Sequence, residues 1–142
     1  MEIRQITPDF AAAPQIAAAD IAEAAAAGFK TILCNRPDDE VPGQPCFADI
    51  EAAAKEAGLE IRFLPLAPGG LSMELINEFR DALDSSDGPV LAYCRSGTRS
   101  TTLWGLAQAC KMAPDDILKA AAQGGYDLSN VRQMLEQLHA SA

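Results

Sequence analysis

The sequence predicts an α/β domain in which helices flank a central, mostly parallel β-sheet. Short apolar runs alternate with amphipathic helical patterns, and clusters of Gly and Pro separate them. Strands that alternate with helices favour a parallel sheet covered on both faces. The chain has 142 residues, of which 49% are hydrophobic, and this is the size and composition of one ordinary domain. We therefore expect residues 1–142 to form a single domain.

The first half of the chain predicts two helices and two strands after an irregular start. Residues 1–16 contain Pro8 and Pro14, so we expect only one or two short edge strands there. Gly28 and Gly58 end the two helical patterns, because glycine tolerates the left-handed conformation that follows many helices. The elements in chain order are a helix over 20–27, a strand over 30–35, a loop over 36–45, a helix over 47–57 and a strand over 60–66.

The second half of the chain predicts one strand and four helices. Ser72 is a favoured N-cap, and apolar residues recur with helical spacing after it. An apolar strand over 89–93 follows a turn at 85–88, and a short loop separates it from the next helix. That helix, beginning near Ser100, shows the helical spacing Leu103, Leu106, Ala107 and Cys110. Two further helices start at Pro114, a favoured first-turn residue, and at the predicted cap Ser129.

Composition excludes several classes of function. The net charge of −9 argues against nucleic acid and anionic membranes as partners, because their phosphates repel an acidic surface. No apolar run approaches the length of a membrane span, and the N-terminus lacks a signal-peptide pattern, so we expect a cytoplasmic protein. The four cysteines form no C-x-x-C pair, and the single histidine, His139, is nearly terminal. The sequence thus predicts no metal site and no cofactor, and it leaves the oligomeric state open.

The segment from Cys94 to Ser100 carries the strongest functional signal. Cys94 comes at the end of the 89–93 strand, and ligands bind parallel sheets beyond the carboxyl ends of the strands. Five residues separate Cys94 from the next predicted helix, so its thiol should face backbone N–H groups and a helix N-terminus. Such a field binds anions and favours the nucleophilic thiolate. The other three cysteines are predicted to be buried apolar residues, namely Cys34, Cys46 and Cys110.

Each loop residue has a predicted role. Gly97 allows a sharp turn that brings its N–H towards the centre of the loop, where a Cβ would obstruct. Arg99 can aim a planar fork at an oxyanion, and Arg95 adds positive charge at the mouth. Hydroxyl groups supply further donors. The predicted anion-binding residues are Arg95, Ser96, Gly97, Thr98, Arg99 and Ser100.

Two resemblances accompany these residues. The loop Tyr-Cys-Arg-Ser-Gly-Thr-Arg-Ser resembles the active-site loop of rhodanese-type sulfurtransferases, whose cysteine carries a persulfide. The chain as a whole resembles the beta-lactamase hydrolase-like proteins, whose fold is similar to that of dual-specificity and tyrosine phosphatases. The segments that carry the second resemblance are Gln5–Pro8, Ala27–Ile32, Asn35–Asp38, Pro42–Pro45, Pro68–Gly70 and the Cys94 loop.

Departures from the phosphatase pattern favour one of the two chemistries that these resemblances imply. Cysteine phosphatases use C-x-x-G-x-x-R, whereas the arginine here falls one residue early, at Arg99, and Ser100 takes its place. A phosphatase also needs a general acid, and the loop over 67–71 contains none. Asp38, Asp39 and Glu40 follow another predicted strand and could reach the pocket, and Asp38 is the candidate acid. Sulfur transfer needs no acid, since a thiolate takes a sulfane sulfur and yields it to a second thiol.

The sequence therefore favours a rhodanese-type sulfurtransferase that works through a Cys94 persulfide. The alternative is a phosphomonoester hydrolase with a Cys94 phospho-intermediate, and a third possibility is a non-catalytic module that binds an anion or a persulfide. The predicted catalytic residues are Cys94, Arg99 and Asp38. The implied partners are a small anionic substrate, either a sulfane sulfur donor or a phosphate ester, and a thiol acceptor. Beta-lactam chemistry is not expected, because the chain has neither an S-x-x-K motif nor a His-rich metal site.

Overall fold

The computed structural model describes all 142 residues and contains one five-stranded sheet. The strand order is β1-β2-β5-β3-β4. Only β1 and β2 pair antiparallel, whereas β2 with β5, β5 with β3 and β3 with β4 are parallel. The strands are β1 (Arg4–Thr7), β2 (Phe10–Ala13), β3 (Thr31–Cys34), β4 (Glu60–Phe63) and β5 (Val90–Tyr93). This architecture confirms the predicted α/β class.

Six α-helices cover the two faces of the sheet. Successive strand residues point to opposite faces, so each strand contributes to two cores. Phe10, Leu33 and Ala92 pack with α3 to α6, whereas Ala11, Ile32 and Leu91 pack with α1 and α2. The helices are α1 (Ile21–Ala26), α2 (Phe47–Glu56), α3 (Met73–Ser85), α4 (Thr98–Gln108), α5 (Pro114–Gln123) and α6 (Arg132–Ala140). None of them is long and apolar enough to cross a bilayer.

The predicted edge position of the N-terminal strands is wrong for β2. This strand lies inside the sheet between β1 and β5, and all four of its residues are buried. Pro8 and Pro14 lie just outside Phe10–Ala13, so the prolines border the strand and leave its hydrogen-bonding ladder intact.

Two predicted helix starts also need correction. The helix after the Cys94 loop begins at Thr98, two residues before the predicted start, with Gly97 as its N-cap. Ser129 begins a 3₁₀ turn that leads into α6, so it lies inside this turn and is not the cap of α6, and its N–H donates to the Asp127 carboxylate. The Ser72 cap is confirmed, because its Oγ accepts a hydrogen bond from the Leu75 N–H.

β5 is the central strand, so its carboxyl end lies in the middle of the row of strand ends. Ala13 and Cys34, the last residues of β2 and β3, both pair with Tyr93. Three parallel strands therefore end at the same level, and the residue after Tyr93 emerges between its two neighbours.

Candidate active site

Cys94 lies at the carboxyl end of β5, fully buried at the base of the loop that follows. Its N–H donates to the carbonyl of Ala13, and the carbonyl of Arg95 accepts from the Gln15 N–H, each at 3.3 Å. The segment after β2 therefore anchors the start of the Cys94 loop. The predicted position of Cys94 agrees with this geometry.

Gly97 turns the loop back over the sulfur. Its φ of 93° lies in the left-handed region, which glycine adopts without the strain that a Cβ introduces. The Gly97 N–H donates to Cys94 Sγ at 3.0 Å. Because Gly97 is also the N-cap of the 11-residue helix α4, the sulfur lies at the positive end of that helix. One loop N–H and a helix N-terminus thus face the sulfur of Cys94, whereas anion binding by the loop stays a prediction.

The hydroxyl groups of the loop fall into two sets. Ser96 Oγ donates to Thr98 Oγ1 at 3.0 Å, and both residues are exposed at the surface of the loop. Ser100 is fully buried in the first turn of α4, and its Oγ has no hydrogen-bond partner. A buried hydroxyl without a partner is uncommon, so Ser100 has an unused donor for a ligand.

Arg99 is held by the carboxylate of Glu40, one of the three acidic residues expected to reach the pocket. Its Nη1 and Nη2 donate to the two oxygens of Glu40 at 2.9 and 2.8 Å, and Nη1 also donates to the carbonyl of Leu66. The hydrogen bonds that Arg99 donates to Glu40 raise the pKa of Arg99, and the nearby sulfur of Cys94 contributes to the same shift. Glu40 and Leu66 are bound through Nη1 and Nη2, so neither of them occupies the Nε edge of Arg99.

Glu40 joins Arg99 to a second, buried arginine. Arg36 Nε donates to Glu40 Oε1 at 2.9 Å, and Arg36 Nη1 donates to Gln15 Oε1 at 3.1 Å. The hydrogen bonds from Arg99, followed by those from Arg36, lower the pKa of Glu40 to about 2. Glu40 is therefore ionised at neutral pH. Arg36 and Glu40 reach this position because they follow β3, the strand beside β5.

Acidification should lower the free energy of unfolding, because protonated Glu40 no longer pairs with Arg99 and Arg36. Its folded pKa lies below the ordinary value of 4.5, so its stabilisation is complete above pH 4.5 and is lost as the pH falls towards about 2. We expect Glu40→Gln to show a smaller loss of unfolding free energy over this range than the wild type. Urea titrations at a series of pH values measure this difference.

The matched control for that measurement is Glu56→Gln. Glu56 is exposed on α2 and makes no ion pair, so its variant should follow the wild-type acid profile. Parallel profiles for Glu40→Gln and wild type would contradict the stabilising role of the Arg99–Glu40–Arg36 bridge.

A pocket of about 600 Å³ opens beside Arg99. Arg95 and Arg99 form one side, and the Pro-Gly-Gly loop after β4 forms the other. The guanidinium of Arg95 makes no hydrogen bond or ion pair with the protein, so it contributes an unneutralised charge to this mouth. The lining residues are Glu40, Leu66, Ala67, Pro68, Gly69, Leu71, Arg95 and Arg99.

Asp38, the predicted acid, does not line this pocket. Its Oδ1 accepts a hydrogen bond at 2.8 Å from the Phe47 N–H, at the start of α2. This contact gives Asp38 a structural task, because it satisfies a free N–H at a helix N-terminus. The catalytic role of Asp38 stays a prediction.

The three remaining cysteines and the histidine have local partners. The buried Cys34 donates its thiol to the Arg36 carbonyl, and burial raises the pKa of Cys34. Cys46 contacts Asp49 at the start of α2, and Cys110 contacts the Ala107 carbonyl. His139 Nδ1 lies 2.9 Å from the carbonyl of Ala109. None of these four side chains makes a hydrogen bond to the sulfur of Cys94, so none forms a catalytic dyad with it in this structure.

Fold and site together define a phosphatase-like, cysteine-based α/β domain. Residues 2–111 match the family described as beta-lactamase hydrolase-like protein, phosphatase-like domain. The chain belongs to this family, which confirms the resemblance noted in the sequence.

Relatives and solved structures agree with this assignment. A beta-lactamase hydrolase-like protein from Agrobacterium fabrum is 34% identical over 125 residues, which are 87% of this chain but 29% of the relative. The chain thus spans less than a third of that longer protein. A candidate phosphatase from Neisseria meningitidis has a TM-score of 0.84 and 36% identity, with 97% of this chain and 99% of that chain covered. PTPMT1, solved in complex with PI(5)P, shares the fold at a TM-score of 0.75 and 12% identity, with 98% and 95% covered.

Proposed function

We propose that this domain hydrolyses phosphomonoesters and that Cys94 is the nucleophile. The observation that carries the proposal is the hydrogen bond from the Gly97 N–H to Cys94 Sγ at the start of α4. This arrangement stabilises a thiolate and binds an oxyanion at the same place. Phosphatase-like family membership supports the phosphatase alternative over the sulfurtransferase that the loop sequence favoured.

The proposed reaction has two steps at one sulfur. The thiolate of Cys94 attacks phosphorus, an S–P bond forms, and the bond from phosphorus to the leaving oxygen breaks. Water then attacks the phosphocysteine, the S–P bond breaks, and inorganic phosphate and the thiolate are released. The amide of Gly97, the N-terminus of α4 and Arg99 stabilise the negative charge on the phosphoryl oxygens.

Arg99 takes part through the edge that Glu40 leaves open. Glu40 binds both terminal nitrogens of the guanidinium and so fixes its plane. An oxyanion that enters the loop meets Nε, and the unpartnered hydroxyl of Ser100 is a further donor. A fixed guanidinium compensates for an arginine that comes one residue early in the chain, because orientation and not only spacing determines how it binds.

The leaving group defines the preferred substrate. Glu40 is the one carboxylate that lines the pocket, and its low pKa makes it a hydrogen-bond acceptor and not a proton donor at neutral pH. Esters whose leaving oxygen departs without protonation suit such a pocket, and aryl phosphates are of this kind. Asp38 stays the proposed acid for less reactive esters. We further propose a cytoplasmic location, where thiols stay reduced.

Side-by-side turnover tests this proposal. The purified domain is assayed with an aryl phosphate and, separately, with thiosulfate and cyanide. We expect phosphate release that saturates with substrate and no thiocyanate above the rate of the Cys94→Ser variant. Thiocyanate formation without phosphate release would instead establish the sulfurtransferase.

A further inference from the structure

Tyr126 contacts the anion-binding loop from outside the matched family region. It lies between α5 and α6, beyond residue 111, and its ring is buried. Its hydroxyl donates to the carbonyl of Ser96 at 3.0 Å. The guanidinium of Arg4 stacks on the ring at 5.6 Å from the centroid. Tyr126 is therefore held firmly against the loop by groups on two sides.

The carbonyl of Ser96 and the N–H of Gly97 belong to the same peptide unit. In a planar trans peptide these two groups point in opposite directions, and no peptide in the chain is cis. The Gly97 N–H donates to Cys94 Sγ at 3.0 Å. The hydroxyl of Tyr126 and the sulfur of Cys94 thus lie at opposite ends of one peptide. Rotation of this peptide would break both hydrogen bonds together.

Close packing limits the alternatives to this orientation. A Cβ on Gly97 would collide with the Tyr126 hydroxyl, and it would come within 2.7 Å of Cζ. The ring therefore covers the side of Gly97 on which any larger residue would carry its side chain. A hydrogen bond accepted by a carbonyl also polarises its peptide and strengthens donation by the N–H.

We propose that Tyr126 is a positioning residue that orients the Ser96–Gly97 peptide so that its N–H stabilises the thiolate of Cys94. The inference rests on the proposed nucleophilic role of Cys94, but not on the identity of the group that Cys94 accepts. Three titratable side chains lie close enough to Cys94 to interact with its charge, namely Cys34, Arg99 and Tyr126. Arg4 and Glu2 in turn interact with Tyr126.

Ultraviolet titration of the thiolate tests the inference. Absorbance is recorded against pH for each protein, and the matching Cys94→Ser background is subtracted. In Tyr126→Phe the ring stays and the hydroxyl is lost. We expect its Cys94 thiolate to form at higher pH, with about three- to tenfold less thiolate than the wild type on the acidic side of the transition, the worth of one hydrogen bond.

Tyr93→Phe is the matched control, because it removes the hydroxyl of the only other tyrosine. Tyr93 is buried directly before Cys94, yet its hydroxyl makes no hydrogen bond to the loop. Its titration should follow the wild type. A wild-type titration in Tyr126→Phe, or equal shifts in the two variants, would overturn the inference. The readout needs no substrate, so a failure of phosphate turnover would refute the proposed function and leave this result standing.

Discussion

Cys94→Ser is expected to lower phosphomonoester turnover by about 10⁴-fold or more. A serine hydroxyl in the same place stays protonated at neutral pH and is a far weaker nucleophile than a thiolate. The substitution is nearly isosteric and leaves the Gly97 N–H in place, so the anion site should persist. Initial rates of phosphate release measure the loss, and protection by inorganic phosphate against thermal unfolding measures the remaining binding.

Cys110→Ser is the control for that experiment. Cys110 is a half-buried thiol beyond the end of α4 that contacts only the Ala107 carbonyl among its polar neighbours, so its variant should keep the wild-type rate. Substantial turnover in Cys94→Ser would remove Cys94 from the reaction. Loss of phosphate protection together with activity would show that the variant had lost its loop conformation.

Arg99→Lys should lower kcat/KM for an aryl phosphate by about 10²- to 10³-fold, which is typical for loss of an oriented donor to a developing oxyanion. Lysine keeps the charge but loses the planar fork. Its single ammonium group cannot reproduce the contact in which two nitrogens of Arg99 bind the two oxygens of Glu40. It also has no second nitrogen edge to offer to an oxyanion. The result would separate the geometry of the guanidinium from its charge.

Arg95→Lys makes the same chemical change at the mouth of the same pocket. The guanidinium of Arg95 has no partner in the protein, so its contribution is mainly electrostatic and lysine should retain most of it. We expect the loss of kcat/KM in Arg95→Lys to be at least tenfold smaller than in Arg99→Lys, a difference of about 1.4 kcal/mol in activation free energy. Equal losses in the two variants would mean that Arg99 acts only through its charge.

The sequence was sufficient to place Cys94 and its loop, because the signals for the loop are local. An apolar strand that ends in Cys94, a glycine three residues later and a helix directly afterwards define the loop by short-range geometry. The same holds for the Ser72 cap and for the alternation of strands and helices. The helix start was placed two residues late because Gly97 serves both as the turn of the loop and as the N-cap of α4.

Side-chain contacts between residues far apart in the chain could not be predicted from the sequence. The Arg99–Glu40 pair joins residues 59 positions apart, and the Tyr126–Ser96 hydrogen bond joins residues 30 apart. Neither spacing produces a periodic pattern, because such pairs follow from how elements pack. The interior position of β2 is of the same kind, since a strand is central or peripheral according to its partners. Of the three acidic residues at 38–40 the sequence favours Asp38, whereas in the structure Glu40 lines the pocket and the Asp38 carboxylate accepts from the Phe47 N–H.

The most direct test is to trap the intermediate on Cys94. The domain is mixed with an aryl phosphate, quenched in acid during turnover, digested, and analysed by mass spectrometry of the peptide that contains Cys94. The predicted result is the added mass of one phosphoryl group on Cys94, absent in Cys94→Ser and lost when substrate is exhausted. An unmodified Cys94 throughout turnover, or a phosphoryl group on another residue, would contradict the proposed role of this thiolate.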